Sequence, residues 1–324
     1  MLEASPKVPS DVDRNERLQL KRAARADRVF AWSVYGSCIV FVLVVIGILI
    51  ELISGSWLAL ARFGLSFLWT SNWNPVTEQF GALPLIYGTV VSSGIAILLA
   101  AGIGIFAAAY LADFAPRFLA RPLSFMIEML AAVPSVVFGL WGLFVLAPIM
   151  RNQIDPMLQS TLGFLPFFRG TIFGTSLLTA GIILAIMIVP TVTAISRDVI
   201  EAIPVDLREG SASLGATRWE TMQKVVLPAA KAGIFGACIL ALGRALGETI
   251  AATMVIGNKP AIAGLFSPGY SLPSVIANEF TEATSDIYLS ALIELGLVLF
   301  VVSVIVNGVA RFLTLTVMKS ARAR

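Results

Sequence analysis

Charged side chains inside long apolar runs are the residues of this sequence best placed to do chemistry. Arg244 and Glu248 stand four residues apart in the run 231–257, so an unbroken helix would place them on one face. A charged residue at the membrane centre costs at least ~2.5–3.5 kcal/mol and therefore needs a partner or a water-filled path. Either the pair neutralises itself and pins the helix, or the planar, permanently charged guanidinium of Arg244 is placed for an oxyanion.

Two further carboxylates lie in apolar runs. Glu294, in the run 288–315, should reach a depth close to that of Glu248. It is therefore also a candidate for the same path, although a weaker one. We interpret Glu294 and Glu128 as structural groups, because each can form a hydrogen bond between helices. Three carboxylates against one arginine also require that some be protonated, paired with another subunit or away from the path.

Other chemistry is unsupported. The sequence has no histidine, and its two cysteines, Cys38 and Cys238, lie in apolar runs, so imidazole catalysis, a metal site and a disulfide framework are not expected. No nucleophile stands beside a base. The phosphate-cradling pattern G-x-x-x-x-G-K-[ST] does not occur, so a chain of this kind that pumps must use ATP hydrolysed elsewhere. We therefore expect no catalytic residue and no bound cofactor.

A second polar feature, residues 209–228, lies between two of the most apolar runs. Pro204 suits the first turn of one helix, and Gly215 can end that helix in a left-handed conformation. Thr217 and Glu220 have the spacing of a capping box that would begin a second helix. Pro228 would close this helix before the next span. A plain amphipathic connector would explain the same caps.

The elements that position these residues are transmembrane helices. The chain of 324 residues is 57% hydrophobic and 13% charged, with a mean hydropathy of +0.87, and several runs exceed the roughly 20 residues that cross a membrane as a helix. We predict an all-α integral membrane protein with six spans, at about 29–53, 84–112, 123–149, 171–196, 231–257 and 288–315. Pro134, Pro148 and Pro190 are predicted to kink these spans without breaking them.

The positive charges predict the orientation. If both termini are cytoplasmic, 18 of the 23 Lys and Arg residues lie inside, and only Arg62, Arg151, Arg169 and Lys259 lie outside. This asymmetry favours N-in and C-in. The predicted organisation is a basic cytoplasmic tail (1–28), a first span (29–53), an external segment (54–83), a core of five spans (84–315) with a cytoplasmic loop (197–230), and a cytoplasmic tail (316–324).

The two longer external segments have open interpretations. Residues 54–83 are aromatic and amphipathic, and we expect Trp57, Trp69 and Trp73 to sit at the headgroup level, although an ordinary loop packed on the helices is an equal alternative. Residues 258–287 could receive a soluble binding protein or form a re-entrant plug.

The loop resembles a known motif. Glu209, Gly215, Leu227 and Pro228 match the EAA motif of ABC importer permeases at every spacing, with Gly210 and Ser211 in place of its two alanines and Val225 in place of isoleucine. The resemblance implies coupling helices that dock into a groove of an ATPase subunit. It implies docking roles, not catalytic ones, for residues of the loop: Glu209, Gly215, Thr217, Arg218, Trp219, Glu220, Leu227 and Pro228.

A wider resemblance covers most of the chain. WNP at 73–75, FGALPLIYGT from Phe80, PSVVFGLWGLFVLAP from Pro134, GATRWET from Gly215 and ALGRALGETIAATMVIGN from Ala241 are similar to the C-type permease subunit of bacterial phosphate-specific importers, the Pst system. This implies a MetI-like permease architecture in the bacterial inner membrane, with the arginine and glutamate of GRALGET on the substrate path.

The same resemblance implies the partners: a second, A-type permease, two ATPase subunits that use ATP and Mg, an extracytoplasmic phosphate-binding protein and membrane lipid, without nucleic acid. The implied function is that of a permease forming half of a phosphate path. A permease for sulfate or molybdate is the nearest alternative. From the residues alone, a secondary transporter or channel working by itself is a further one.

Overall fold

The computed structural model describes residues 11–322, and describes the surroundings of side chains for residues 27–312. The predicted tails, 1–28 and 316–324, lie partly outside the described residues. The helices are α1 (Asp11–Gly55), α2 (Trp57–Phe63), α3 (Leu83–Ala109), α4 (Arg117–Ala131), α5 (Ser135–Trp141), α6 (Ala147–Ile149), α7 (Asp155–Leu162), α8 (Leu177–Glu201), α9 (Val205–Ser213), α10 (Arg218–Thr221), α11 (Leu227–Gly247), α12 (Ile250–Ile256), α13 (Leu272–Glu279) and α14 (Asp286–Arg322).

Six of the described stretches are long and apolar enough to cross a membrane, which confirms the predicted number. They are Asp27–Gly55, Leu83–Phe114, Ser135–Leu162, Leu177–Glu201, Arg218–Gly247 and Asp286–Phe312, here called spans one to six. Spans three and five are continuous because π-helical turns join α5 to α7 and α10 to α11. In α1, described by itself, apolar side chains such as Phe41 (71% exposed) face outward, as suits a helix surrounded by lipid.

The predicted third span, 123–149, is wrong by about a dozen residues. Residues 117–131 form the separate helix α4. The helix ends before Pro134, whose ψ of 139° is extended. Proline lacks an N–H and disfavours helical geometry in the residue before it, so the apolar run contains a helix boundary where we predicted a kink. Pro148 and Pro190 do lie inside continuous helical stretches.

Span four is the centre of the core. Two-thirds of its most apolar window is buried, more than in any other described span, and it packs against α3, α5, α11 and α12. Glycines permit the close approach to α3: a Cβ atom at Gly181 would lie 2.7 Å from Ile95 Cγ2, and one at Gly104 would lie 2.9 Å from Val192 Cγ1. Small residues at such contacts are what bring membrane helices together.

A second buried cluster joins α2, α13 and the first half of α14. Trp73 lies within it, 7% exposed, and its indole N–H donates to Glu279 Oε2 at 2.8 Å. The Trp73 ring is therefore packed against the protein, as in the alternative of a loop packed on the helices, and its position at the headgroup level stays a prediction. Trp57 and Trp69 are 69% and 75% exposed and remain available for that role.

The segment 258–287, predicted to be external, is packed against the helices. Phe266 is fully buried in the main core, and the segment hydrogen-bonds the start of span four, with Leu177 N donating to Ser267 O at 3.3 Å and Leu178 N to Leu265 O at 3.0 Å. Tyr270 is also buried, and burial is the main cause that raises its pKa. The segment therefore lies against the start of α8 and satisfies two of its first backbone N–H groups.

Candidate functional site

Arg244 faces an open cleft between three helices. The cleft has a volume of about 460 Å³ and is lined by Thr191 of α8, Asn307 of α14 and the α11 residues Ile239, Leu240, Gly243 and Arg244. The guanidinium Nη1 donates to Thr191 Oγ1 at 3.4 Å. A permanent positive charge is thus placed in a mostly apolar cleft with a hydroxyl and an amide, two groups that can also donate hydrogen bonds.

Arg244 has no acidic partner in the described chain. The ion pairs observed among residues 27–312 include those of Arg62, Arg197, Arg208 and Lys224, and none of them involves Arg244. The interpretation in which Arg244 and Glu248 neutralise each other is therefore wrong for this structure. The uncompensated guanidinium gives the cleft a positive potential, which suits an anion.

Glu248 does not share the helical face of Arg244 as predicted. The helix α11 ends at Gly247, and Glu248 follows with ψ at 124°, an extended conformation. Its Oε1 accepts a hydrogen bond from Ala251 N at 3.1 Å, at the start of α12. Glu248 therefore satisfies a free N–H group of the next helix. It lies at the break between α11 and α12, one residue after span five ends.

The other two carboxylates lie apart from the cleft. Glu294 is 3% exposed, its Oε2 has no hydrogen-bond partner among the described residues, and it does not line the cleft. Glu128 lies on α4, outside the spans, and its Oε1 is 3.5 Å from Nη2 of Arg197 on α8. Glu128 thus joins two helices, as its structural interpretation predicted.

The loop between spans four and five forms the predicted elbow. After α9, Gly215 has φ at +85°, where a residue with a Cβ atom is disfavoured. Ala216 N donates to Ser211 O at 3.3 Å and Gly215 N to Ala212 O at 2.9 Å. These two bonds define a Schellman motif, which ends a helix by satisfying its last carbonyls.

The capping box after the elbow is also confirmed. Glu220 N donates to Thr217 Oγ1 at 3.2 Å, and Thr217 N donates to Glu220 Oε2 at 3.0 Å. Pro228, however, does not close the second helix, because α10 continues through a π-helical turn into span five. Pro228 is tolerated there because it occupies the first turn of α11, and the π-helical turn before it takes up the changed backbone bonding.

Most of the loop's candidate residues are accessible. Glu209, Gly215, Thr217, Arg218, Trp219 and Pro228 are exposed, and Glu220 and Leu227 are half-buried. Leu214, next to the elbow, is 90% exposed. Beside α9 lies a cleft of about 320 Å³, whose lining includes Glu209 and Arg218. An exposed apolar tip beside a charged cleft is a surface suited to a protein partner.

Sequence reasoning missed four residues of these sites. Thr191 and Asn307 complete the arginine cleft, and Asp113 and Arg208 form an ion pair beside the loop. Their partners are distant in sequence, 95 residues apart in the case of Asp113 and Arg208. The one available signal was their polarity inside or beside apolar runs, which marks a residue for attention without naming its partner.

Six spans, a cleft with an uncompensated arginine and an exposed loop between helices define a membrane permease. A family model described as "binding-protein-dependent transport system inner membrane component" matches residues 100–318. The chain belongs to this family.

Curated relatives are similar over nearly the whole length. The chain is 44% identical to the phosphate transport system permease protein PstC of Mesorhizobium japonicum, over 97% of both chains. It is 46% identical to the protein of the same name from Haemophilus influenzae, over 88% of this chain and 91% of that one.

Solved structures of transporters share the fold. A chain of a bacterial alginate ABC transporter, in complex with an alginate pentasaccharide-bound periplasmic protein, aligns with a TM-score of 0.57 at 16% identity, over 89% of this chain and 97% of that one. A chain of the MetNI methionine ABC transporter aligns with a TM-score of 0.51 at 17% identity, over 72% and 94%. At these identities the likeness establishes the MetI-like permease fold.

Proposed function

We propose that this chain is the transmembrane permease subunit of an ATP-driven phosphate importer and forms half of the translocation path. The observation that carries the proposal is the similarity, over 97% of both chains, to a permease protein of a phosphate transport system. The chain itself is not an enzyme in this proposal. It binds no cofactor, and ATP and Mg are used by partner subunits.

The proposed assembly contains a second, A-type permease, two ATPase subunits and an extracytoplasmic phosphate-binding protein. The family description, which includes dependence on a binding protein, supports this composition, and so does the periplasmic protein in the alginate transporter structure. The proposed location is the bacterial inner membrane, with both termini cytoplasmic. The excess of Lys and Arg on the side of the termini and of α9 supports this orientation.

Arg244 is the proposed contact for phosphate. Its guanidinium matches an oxyanion in shape and charge, no acidic group of the described chain neutralises it, and Thr191 and Asn307 stand beside it in the cleft. Glu248 holds the start of α12 next to this path. Glu294 remains a weaker candidate, because it is buried away from the cleft.

Matched substitutions test the role of Arg244. In the complete assembly reconstituted into liposomes, Arg244→Gln should reduce phosphate uptake strongly, since it removes the charge. Arg244→Lys should retain part of the uptake, since it keeps the charge but loses the planar fork. Uptake by Arg244→Gln equal to that of the unaltered assembly would refute the role.

The loop 197–230 is proposed to dock on the ATPase subunits through the exposed elbow and its flanking residues. Accessibility of Leu214 and Trp219 (90% and 52% exposed) supports this proposal. Copurification of the chain with the second permease and two ATPase copies tests it directly. Isolation of the chain as a stable, transporting single polypeptide would favour a secondary transporter or channel instead.

Sulfate or molybdate is the alternative substrate. Competition for uptake separates the possibilities: unlabelled phosphate should suppress uptake of labelled phosphate, and sulfate or molybdate in equal concentration should not. Transport of sulfate or molybdate in preference to phosphate would refute the substrate proposed here and leave the permease class intact.

A further inference from the structure

The helix α9 is held in place without apolar burial. None of its nine residues is buried, although Val205 and Leu207 are apolar and are 62% and 46% exposed. A helix of nine residues has little stability of its own, so apolar packing against the rest of the protein usually stabilises it and holds it in place. The position of α9 must therefore come from a few polar contacts.

The neighbouring helix α10 is positioned differently. It is the first turn of span five and continues through the π-helical turn Met222–Val226 into α11, and Met222 and Val226 are fully buried. A displacement of α10 is thus passed to the rest of span five by the helix itself. For α9 no such helical continuation exists, because the helix begins after Pro204 and is ended by the left-handed Gly215.

Arg208 provides the contact between α9 and the membrane helices. Its Nη1 donates to Asp113 Oδ1, at the cytoplasmic end of span two in the proposed orientation. Its Nη2 donates to Ile200 O at 2.7 Å, at the end of span four. The guanidinium has separate donors in a fixed geometry, so one side chain can hold both acceptors at once.

The two acceptors belong to a packed part of the molecule. Ile200 is fully buried in a cluster with Ala108 and Ala109 of span two and with Met222 and Val226. The side chains of Arg208 and Asp113 are only 19% and 24% exposed, so their interaction is less screened by water than a surface ion pair. Arg208 therefore joins an otherwise loosely held helix to a rigid end of spans two and four.

We propose that Arg208 and Asp113 are positioning residues that transmit displacement of α9 to spans two and four. The docking surface then acts on the membrane helices in two ways: α10 moves the rest of span five because it is the first turn of that span, and α9 moves spans two and four through Arg208. This inference rests on the proposed docking of the loop on an ATPase. A hydrogen bond between the hydroxyl groups of Ser211 and Thr221, 3.0 Å long, keeps the two short helices together.

Transport coupling tests the proposal. In the complete reconstituted assembly, Arg208→Gln and Asp113→Asn should each retain copurification and ATP hydrolysis, while the phosphate moved per ATP falls by about fivefold or more, the range of a typical coupling free energy. The double variant should fall no further than Arg208→Gln alone, because that variant already removes the contact with Asp113 together with the bond to Ile200 O. The control is Arg62→Gln, which lies outside the docking loop and removes a more exposed ion pair, with Glu78, at 3.0 Å.

Conservative variants and hydrogen exchange distinguish a loss of transmission from α9 to spans two and four from a general loss of protein stability. Arg208→Lys offers one ammonium in place of two separated donors, so it should lower the phosphate moved per ATP, whereas Asp113→Glu should keep part of it. In the full chain in nanodiscs, Arg208→Gln should accelerate amide exchange in residues 205–213 and leave residues 217–220 unchanged. This second measurement does not require assembly.

The outcomes are distinguishable. An unchanged ratio of phosphate to ATP in Arg208→Gln, a loss no larger than that of Arg62→Gln, or unchanged exchange in α9 would each overturn this inference. An unaltered assembly that hydrolyses ATP without moving phosphate would instead refute the proposed function.

Discussion

The left-handed glycine of the loop gives the sharpest prediction about docking. Gly215 has φ at +85°, and a Cβ atom built on it meets no atom within 4 Å. Gly215→Ala therefore causes no collision, and its cost is that of the backbone conformation alone, about 1–2 kcal/mol. Because the elbow is exposed, the undocked loop can relax to another conformation, and docking must then restore the strained one. The expected loss of ATPase affinity is about five- to thirtyfold.

The same loop offers a matched control. Gly210 lies inside α9, and its Cβ position is also open, so Gly210→Ala should stabilise the helix by about 0.5–1 kcal/mol. Gly215→Asn should cost less than Gly215→Ala, because asparagine tolerates the left-handed conformation. The assay is binding of the purified ATPase subunit to the permease in nanodiscs, with membrane insertion verified for each variant. Equal affinity for Gly215→Ala and the unaltered chain, or equal losses for the two alanine variants, would refute the reasoning.

Three further predictions follow from single contacts. Thr217→Ala should weaken the start of α10 by about 1 kcal/mol by removing the cap, seen as faster amide exchange at residues 218–221, whereas Thr217→Ser should not. Gly88→Ala should lower the thermal stability of the purified chain, because a Cβ atom there collides with the Tyr270 carbonyl, and such overpacking costs about 1–3 kcal/mol. The hydrogen bond from Arg62 is the main cause that lowers the pKa of Glu78 below 4.5, so protection of the turn 74–79 should persist above pH 4.5 and be lost as the pH falls through the lowered value. In Arg62→Gln that protection should be weaker than in the unaltered chain already at neutral pH.

Each of these has a direct counter-result. Amide exchange that is equal in the alanine and serine variants of Thr217 would show that the cap does not hold α10. Gly94 has no atom within 4 Å of its Cβ position, so Gly94→Ala should be tolerated; a loss of stability equal to that of Gly88→Ala would contradict the collision argument. Protection of 74–79 that is independent of pH would show that the pair with Arg62 does not hold the turn.

Features encoded by neighbouring residues were predictable from the sequence. The apolar length of the spans gave their number, because a membrane imposes a fixed helix length. The elbow at Gly215 and the capping box of Thr217 and Glu220 were predicted residue by residue, because each depends on backbone groups within a few positions.

Features that depend on distant partners were not predictable. A helix boundary lies at Pro134, whereas the helices containing Pro148 and Pro190 continue past the proline. Hydropathy does not distinguish these cases, because surrounding helices decide whether the freed carbonyls find partners. Glu248 lies four residues from Arg244, yet the end of α11 at Gly247 separates them. The contact of Arg208 with Asp113 spans 95 residues, a separation at which no local pattern operates.

The measurement that tests the central claim most directly is accumulation of labelled phosphate in liposomes, with ATP supplied to the ATPase side. The complete assembly containing this chain should accumulate phosphate against a gradient when ATP and the binding protein are both present, and liposomes containing this chain alone should not. Accumulation by the chain alone, or by the assembly without ATP, would contradict the account.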